Sequence, residues 1–311
     1  MKTVLCIVGP TACGKTALSV AIAQAFSGEI VSADAVAVYR GLDIGSAKPS
    51  KEERQGIPHF MIDCADITDD SFTVSAFREK AREAIEAILS RGDLPVIVGG
   101  SGLYLDAIFA DMNFSAPSDP EIRAAIEKEY DRDQNAVFEA LRAADAQTAN
   151  RLHPNDKKRV VRALEVYRIT DKPFSEINRA FEKAQQNDGT YRTIRIGLNT
   201  DRRILYDRID RRVDRMMEQG LPEEAYSLFD RGFTPDRYRA MQSIGYAQLY
   251  EAYCGRCTEA EAVDRIKLDT RHFAKRQITW FKRNRDTVWF DPMQVSMPQI
   301  IEKVTELLHE N

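Results

Sequence analysis

The sequence predicts an α/β fold, a three-layer core built on a parallel sheet, with an all-helical domain inserted part-way along the chain. Three observations carry that expectation. A short apolar run, Val4 to Val8, leads straight into "GPTACGKT". Strand-like and helix-like stretches then alternate, and from Glu121 to about Gln186 the strand signal disappears.

Taken in order, Val4 to Val8 is continuously apolar, as suits a central strand buried on both faces. "KTALSVAIAQAF" places Leu18, Ile22 and Phe26 at helical spacing. "GEIVSAD" supplies a second strand, Glu29 to Ala33, ending at Asp34, and "HFMID" (His59 to Asp63) a third, ahead of a helix across Phe72 to Leu89. "LPVIVGGSGLY" gives another buried strand, Pro95 to Val98, with a Gly-Gly-Ser turn into a helix. Strand, loop and helix repeating in this order imply a parallel sheet covered on both faces. The Pro/Ser-rich stretch Asn113 to Pro120 reads as a boundary. Strand signal returns at Tyr191 to Thr200, helices follow over Arg203 to Glu218 and Glu259 to Arg285, and a last strand spans Thr287 to Asp291. The expected domains are a core in two parts, 1–114 and 189–311, and a helical insertion, 115–188.

Composition narrows the class. The 311 residues are 43% hydrophobic and 30% charged, ordinary for a globular protein. No apolar run reaches the ~18 residues of a membrane span, and the N-terminus lacks a signal-peptide pattern, so no membrane partner and a cytoplasmic location are expected. Five cysteines argue against a disulfide framework. Cys254-Gly-Arg-Cys257 has no second ligand pair among the scattered His59, His153, His272 and His309, which speaks against zinc. Net charge is -4, yet Arg271 to Arg285 holds six basic residues and no acidic one, and Lys157-Lys-Arg159 with Arg162 forms a second cluster. Each alone suits a solvated helix face; two on an acidic background point to a nucleic-acid groove.

The "GPTACGKT" loop is of the nucleotide-binding, ATP-binding type and fits a P-loop NTPase-like core. Gly9 and Gly14 permit its turn, and the loop residues Gly9, Pro10, Thr11, Ala12, Cys13 and Gly14, through the backbone N–H groups of all but Pro10, surround an anion with Lys15 and Thr16. Lys15 adds a point charge, and the Thr16 hydroxyl suits Mg²⁺. Cys13, beside a helix N-terminus that can lower a thiol pKa, is expected to be sensitive to alkylation. A kinase or NTPase needs a second acid, usually ending a buried strand. "PVIVGG" ends instead in Gly99-Gly100-Ser101, whose glycines allow close approach. The carboxylate comes at Asp34, after the neighbouring strand, where it serves as a metal-shell ligand, a general base or a simple turn cap.

"GPTACGKT", "VSADAVAVYRGLDIGSAKP", "PHFMID", "VGGSGLY", "HPNDKKRVVRALEVY", "SIGY" and "AKRQITWFKR", in that order, resemble the bacterial tRNA dimethylallyltransferases (isopentenyl-tRNA transferases) over nearly the whole chain. The resemblance implies transfer of a dimethylallyl group from dimethylallyl diphosphate to N6 of the adenosine 3′ of the anticodon, in tRNAs reading codons that start with U. Lys15, Thr16 and Mg²⁺ then stabilise the leaving diphosphate, and Asp34 takes the amine proton. Ser101 contacts substrate, and Arg212, or failing it Arg208, meets the diphosphate; for either arginine a surface ion pair is the alternative. The tRNA, through its anticodon stem-loop, is expected on Asp34, Ala35, Val36, Ala37, Ser101 and Arg123. It is also expected on Lys158, Arg159, Val160, Val161 and Arg162, and on Lys275, Arg276, Gln277, Trp280 and Lys282. Trp280 and Phe281 also suit helix packing. A monomer is expected.

The sequence departs from the family pattern Asp-Ser-x-Gln-Val-Tyr, reading Asp34-Ala35-Val36-Ala37-Val38-Tyr39. "PHH" is Pro58-His59-Phe60, and two threonines are Ser46 and Ser101. Three other readings stand beside the first: the same chemistry on a free adenine nucleotide, a P-loop kinase or NTPase, and a catalytically idle tRNA-binding relative.

Overall fold

A computed structural model describes residues 2–69, 72–109, 118–177 and 189–310. The strands are β1 (Thr3–Val8), β2 (Gly28–Ser32), β3 (His59–Phe60), β4 (Leu94–Gly99), β5 (Arg192–Leu198) and β6 (Thr287–Phe290). All pair in parallel in one six-stranded sheet of order β3-β2-β4-β1-β5-β6. The apolar run of β1 is continuous because β1 lies between β4 and β5, in register Leu5 to Val96 and Leu5 to Ile194, with both faces covered.

Helix α1 (Lys15–Ala25) and α3 (Val74–Ser90) form because their apolar residues recur on one face: Leu18 and Ile22 in the first, Phe77, Ala81, Ile85 and Ile88 in the second, all buried. Thr73 starts α3 by accepting from Ala76 N at 3.4 Å. Between them lies the single turn α2 (Lys51–Arg54), closed by a Ser50/Glu53 capping box. The strand expected over His59 to Asp63 stops at Phe60, since Met61 and Asp63 have φ of 61° and 54°, which no strand admits. After β4 comes α4 (Gly102–Phe109).

The chain divides into two compact units, residues 1–108 with 190–311, and residues 109–189. The expected boundary at Asn113 to Pro120 falls mostly on residues 110–117, and the end of the helical stretch on 178–188, outside the described residues. Within 109–189 the described elements are helices: α5 (Pro120–Arg132), α6 (Gln134–Ala144), α7 (Ala146–Ala149) and α8 (Lys157–Thr170). Each begins on an aspartate, Asp119, Asp133, Asp145 or Asp156, that accepts from a backbone N–H of the first turn. Four acidic side chains of this stretch thus serve to start helices. Ile126, Phe138, Leu141, Val160, Val161 and Leu164 make its core. The Glu165 side chain, wholly buried there, is held by Arg123 and Arg162, each at 2.8 Å.

After β5 the sheet unit continues with α9 (Arg202–Glu218), α10 (Leu221–Asp230), α11 (Tyr246–Tyr253) and α12 (Glu259–Phe281), and β6 is followed by α13 (Met297–His309). Helix α12 stops at Phe281, short of Arg285, because Asn284 turns the chain by accepting from Asp286 N at 3.0 Å. Helices α10, α11 and α13 were not anticipated from the sequence. No helix among the described residues is long and apolar enough to cross a membrane.

Candidate active site

The carboxyl ends of β2, β4 and β1 lie side by side and carry the residues singled out above. Ser32 is in register with Val98, and Val8 with Gly99. A crevice at this edge is what strand-order reversal in a parallel sheet produces. Here it widens to a cleft of about 1560 Å³ lined by Thr11, Gly14, Lys15, Thr16, Asp34 and Arg212, among others.

The phosphate loop leaves β1 at Gly9, where a Cβ would lie 2.3 Å from Leu198 O; only glycine fits. Ala12 and Gly14 take φ of 63° and 98°, and α1 begins at Lys15. The Lys15 ammonium donates to Gly9 O at 3.0 Å and Pro10 O at 2.7 Å. Burial pulls its pKa below the ordinary lysine value and the Arg212 charge adds to this, while Cys13 and Asp34 oppose it. Thr16 lines the cleft next to it. Among the described residues no cluster of His, Cys, Asp or Glu offers a preformed metal cage. One hard hydroxyl oxygen at the cleft beside the loop fits the chemistry of Mg²⁺, which keeps several waters and takes the rest of its shell from phosphates.

Cys13 corrects the expectation of alkylation sensitivity. The turn at Ala12 sends its side chain into the sheet core, where it is fully buried with Leu18 and Leu198. Burial raises the thiol pKa despite the nearby Lys15 and loop amides. Its backbone belongs to the phosphate loop; its sulfur is inert.

Asp34 follows β2. Its Oδ1 accepts from Val36 N at 2.8 Å and Ala37 N at 3.2 Å, so the turn-cap use is real. Among the described residues no hydrogen bond reaches Oδ2, and the residue lines the cleft. The cap fixes one oxygen and leaves the other for chemistry. Ser101 Oγ accepts from Ala35 N at 3.0 Å, and Ser101 N donates to Ala33 O at 3.2 Å; this serine holds the Asp34 turn.

The two candidate arginines separate. Arg212 Nη1 donates to Thr11 Oγ1 of the phosphate loop at 3.3 Å. Burial lowers its pKa, with the Asp34 carboxylate the main opposing charge. Arg208 also lines the cleft, but its guanidinium lies 3.0 Å from Met293 Sδ. Arg212 is the one beside the loop.

The residues expected on tRNA divide by exposure. Lys158 and Arg159 are exposed on α8, and Lys275, Arg276 and Lys282 on and just after α12. Val160 and Val161 are corrections: both are buried in the helical core and present no side chain to a partner. Arg123 and Arg162 are engaged with Glu165. Trp280 is half-buried over Gly102 and donates from Nε1 to Asp106 Oδ2 at 3.0 Å, a packing role. Gln277 is a further correction. It is buried, its Oε1 accepts from Thr11 N and its Nε2 donates to Gly100 O, both at 2.9 Å.

Two features of the cleft wall escaped the sequence reading. Lys48, buried apart from a 5% edge, reaches Asp43 Oδ1, Asp63 Oδ1 and Tyr39 O, each at 2.6 Å. Glu224 accepts from Ile44 N at 2.9 Å and Tyr246 OH at 2.6 Å, tying "DIGS" to "SIGY". A Cβ at Gly45 would lie 2.5 Å from the Tyr246 ring.

A model of the family described as IPP transferase matches residues 37–284. The chain belongs to the IPP transferase family. Within reach of it, a tRNA dimethylallyltransferase of Shouchella clausii (strain KSM-K16) is 44% identical over 310 residues, 99% of this chain and 96% of that one. One of Geobacillus thermodenitrificans (strain NG80-2) is 44% identical over 292 residues, 93% and 90%. Among solved structures, the full-length tRNA isopentenylpyrophosphate transferase of Bacillus halodurans is 37% identical with a TM-score of 0.73, covering 99% of this chain and 96% of that one. A eukaryotic dimethylallyltransferase acting on tRNA is 28% identical, with a TM-score of 0.77 and 99% and 78% coverage. The IPP transferase match begins beyond the phosphate loop and Asp34; the relative matching 99% of the chain extends the likeness across both.

Proposed function

We propose that this member of the IPP transferase family moves a dimethylallyl group from dimethylallyl diphosphate to N6 of the adenosine 3′-adjacent to the anticodon, in tRNAs reading codons that start with U. The supporting observation is that one cleft is lined by the phosphate loop, by Arg212 and by Asp34, whose carboxylate acts electrostatically on both Lys15 and Arg212.

The reaction follows from those groups. The loop amides, Lys15 and Arg212 stabilise negative charge as the allylic C–O bond breaks and diphosphate departs. The adenine N6 lone pair is delocalised into the ring, so the amine attacks only as its proton leaves. Asp34 Oδ2 accepts that proton while the C–N bond forms, and later releases it to water. Mg²⁺ on Thr16 would add charge neutralisation at the leaving diphosphate when bound. The acceptor base must leave its stack to reach Asp34. Exposed Lys158, Arg159, Lys275, Arg276 and Lys282 suit phosphates of the anticodon stem-loop, which favours tRNA over a free nucleotide. A monomer working in the cytoplasm is the accompanying expectation.

The test is incubation with labelled dimethylallyl diphosphate and either tRNA or AMP, followed by mass spectrometry of nucleosides. N6-isopentenyladenosine in tRNA is expected; label in AMP alone overturns the acceptor. Asp34→Asn should lower the rate by roughly 100-fold or more, with diphosphate binding kept. Equal, near-zero modification by parent and variant would support an idle relative instead.

A further inference from the structure

We infer that Gln277 is a positioning residue that sets the spacing between the diphosphate seat and the Asp34 turn. The inference rests on the proposed reaction and concerns a buried side chain of the basic helix, at the wall of the cleft.

A continuous set of hydrogen bonds runs along the strand ends. Arg212 Nη1 donates to Thr11 Oγ1 at 3.3 Å, and Thr11 N donates to Gln277 Oε1 at 2.9 Å. Gln277 Nε2 donates to Gly100 O at 2.9 Å; the next residue, Ser101, holds Ala35 N through its Oγ at 3.0 Å. Asp34 closes the path by capping Val36 and Ala37. Gln277 is the one member contributed by α12, 266 positions along the chain from Thr11. Among the described residues it is the side chain that hydrogen-bonds both the loop after β1 and the turn after β4.

The fit is specific to an amide. One end must accept from an N–H and the other must donate to a carbonyl, which only a primary amide or a neutral carboxylic acid of this length can do. Space is equally restrictive, since a Cβ on Gly100 would lie 2.1 Å from Gln277 Nε2. Gln277 is 5% exposed, so water does not replace either bond easily. Loss of the amide frees Thr11 N and Gly100 O and lets the two turns drift. A displacement of about 1 Å between reacting groups costs on the order of 100-fold in rate.

Two variants test this. Gln277→Leu removes both bonds. Gln277→Glu keeps them only while its carboxyl is protonated, because the carboxylate opposes Gly100 O with a second acceptor. For Gln277→Leu the expected outcome is a kcat/KM for dimethylallyl diphosphate lower by about 100-fold and weaker inhibition by inorganic diphosphate, with tRNA affinity by filter binding unchanged. For Gln277→Glu the rate relative to the parent should climb as pH is lowered from 8 to 6, a recovery that a packing role does not give. Parental kcat/KM and diphosphate inhibition in Gln277→Leu, or a pH-independent ratio in Gln277→Glu, overturn the inference. So does a fall in tRNA affinity matching the fall in rate, which would place Gln277 on the RNA. If the parent itself neither binds nor turns over dimethylallyl diphosphate, the proposed function fails instead, and the two failures are told apart.

Discussion

Gly99→Ala is the substitution whose consequence can be worked most directly from the structure. Gly99 ends β4, and an added Cβ would sit 2.1 Å from Ala33 O, 2.5 Å from Ala33 C and 2.8 Å from Ala33 Cβ. Real Cβ contacts do not fall below 3.0 Å. The obstacle is backbone of the adjoining strand, so the end of β2 must move by roughly 1 Å. That strains Ala33 N to Val98 O, now 2.7 Å, and Ser101 N to Ala33 O, now 3.2 Å. Overpacking costs about 1–3 kcal/mol, and a weakened hydrogen bond about 1 kcal/mol more. A total of about 2–4 kcal/mol corresponds to a fall in Tm of several degrees, at roughly 2 °C per kcal/mol for a chain of this size. The functional effect is larger, because Asp34 is bonded directly to the residue that moves. A shift of about 1 Å in the base predicts a loss near 100-fold in kcat. Gly92→Ala is the control: at φ 84° it is strained, at about 1–2 kcal/mol, but its Cβ meets nothing within 4 Å and it lies outside the cleft lining. Thermal melts and steady-state prenyl transfer on both variants give the answer. If Gly99→Ala melts with the parent and keeps its kcat, the idea that strand-end packing places Asp34 is wrong.

Three further outcomes are expected. Arg212→Ala should weaken inorganic diphosphate by about 10- to 100-fold, the equivalent of a charged hydrogen bond, in isothermal titration, whereas Arg208→Ala should change it by less than about 3-fold; the reverse ranking would exchange their roles. Under iodoacetamide at pH 8, peptide mapping of the native protein should find label on exposed Cys254 and none on Cys6 or Cys13, since burial pushes Cys6 to about 12 and raises Cys13 as well. Rapid labelling of Cys13 in folded protein would contradict its placement. For Glu165, burial alone would raise the carboxyl pKa, but Arg162, Arg123 and Asp119 N outweigh it and hold it below 4.5. A depressed acid stabilises the fold above its unfolded value and loses that contribution as pH falls through the folded one. Hence chemical denaturation at pH 7 should show Glu165→Ala less stable by about 1.5–3 kcal/mol, the range for hydrogen bonds to a charged group, with the gap to the parent closing below pH 4.5. A gap that persists unchanged to pH 2 would show that the ion pair is not its source.

What the sequence disclosed was local in character. The phosphate loop, its glycines and the strand before it are contiguous, so spacing alone places Lys15 and Thr16 at a helix start. Asp34 was legible because a strand end in a parallel sheet fixes which edge it occupies. The helical stretch was legible from the loss of strand-like runs, whereas the use of four of its aspartates as helix caps shows only in the structure. Contacts made across the chain were hidden. Gln277 sits in a run that reads as one basic block, and only the packing of α12 shows that its amide faces inward. Likewise Val160 and Val161 sit among basic residues by sequence and in the core by helical phase. Cys13 turned on one backbone angle, the φ of 63° at Ala12, which the spelling of the loop does not reveal.

The glycines at and just after the end of β4 leave no room for a second acid beside the phosphate loop. In phosphoryl transfer an acid at such a strand end helps hold the metal against the phosphate being cut. Here a side chain has no room: at Gly99 it would strike Ala33, at Gly100 it would strike Gln277, and at Gly102 it would lie 2.2 Å from the Trp280 ring. The neighbouring strand and the long helix fill that place, and the carboxylate beside the loop comes from Asp34 in the turn after β2, with one oxygen tied down. An acid so fixed suits removal of a proton from an incoming amine better than coordination, which uses adaptable oxygens. The same turn explains how the chain tolerates Ala35 and Ala37 where the family pattern has serine and glutamine. The bonds that shape it come from backbone N–H groups of residues 35, 36 and 37, which alanine supplies as well as any residue. Ala37 does leave a methyl at the cleft wall where an amide could read an adenine edge. The position of the Asp34 carboxylate therefore survives the departure, and what changes is the side chain offered at the cleft wall.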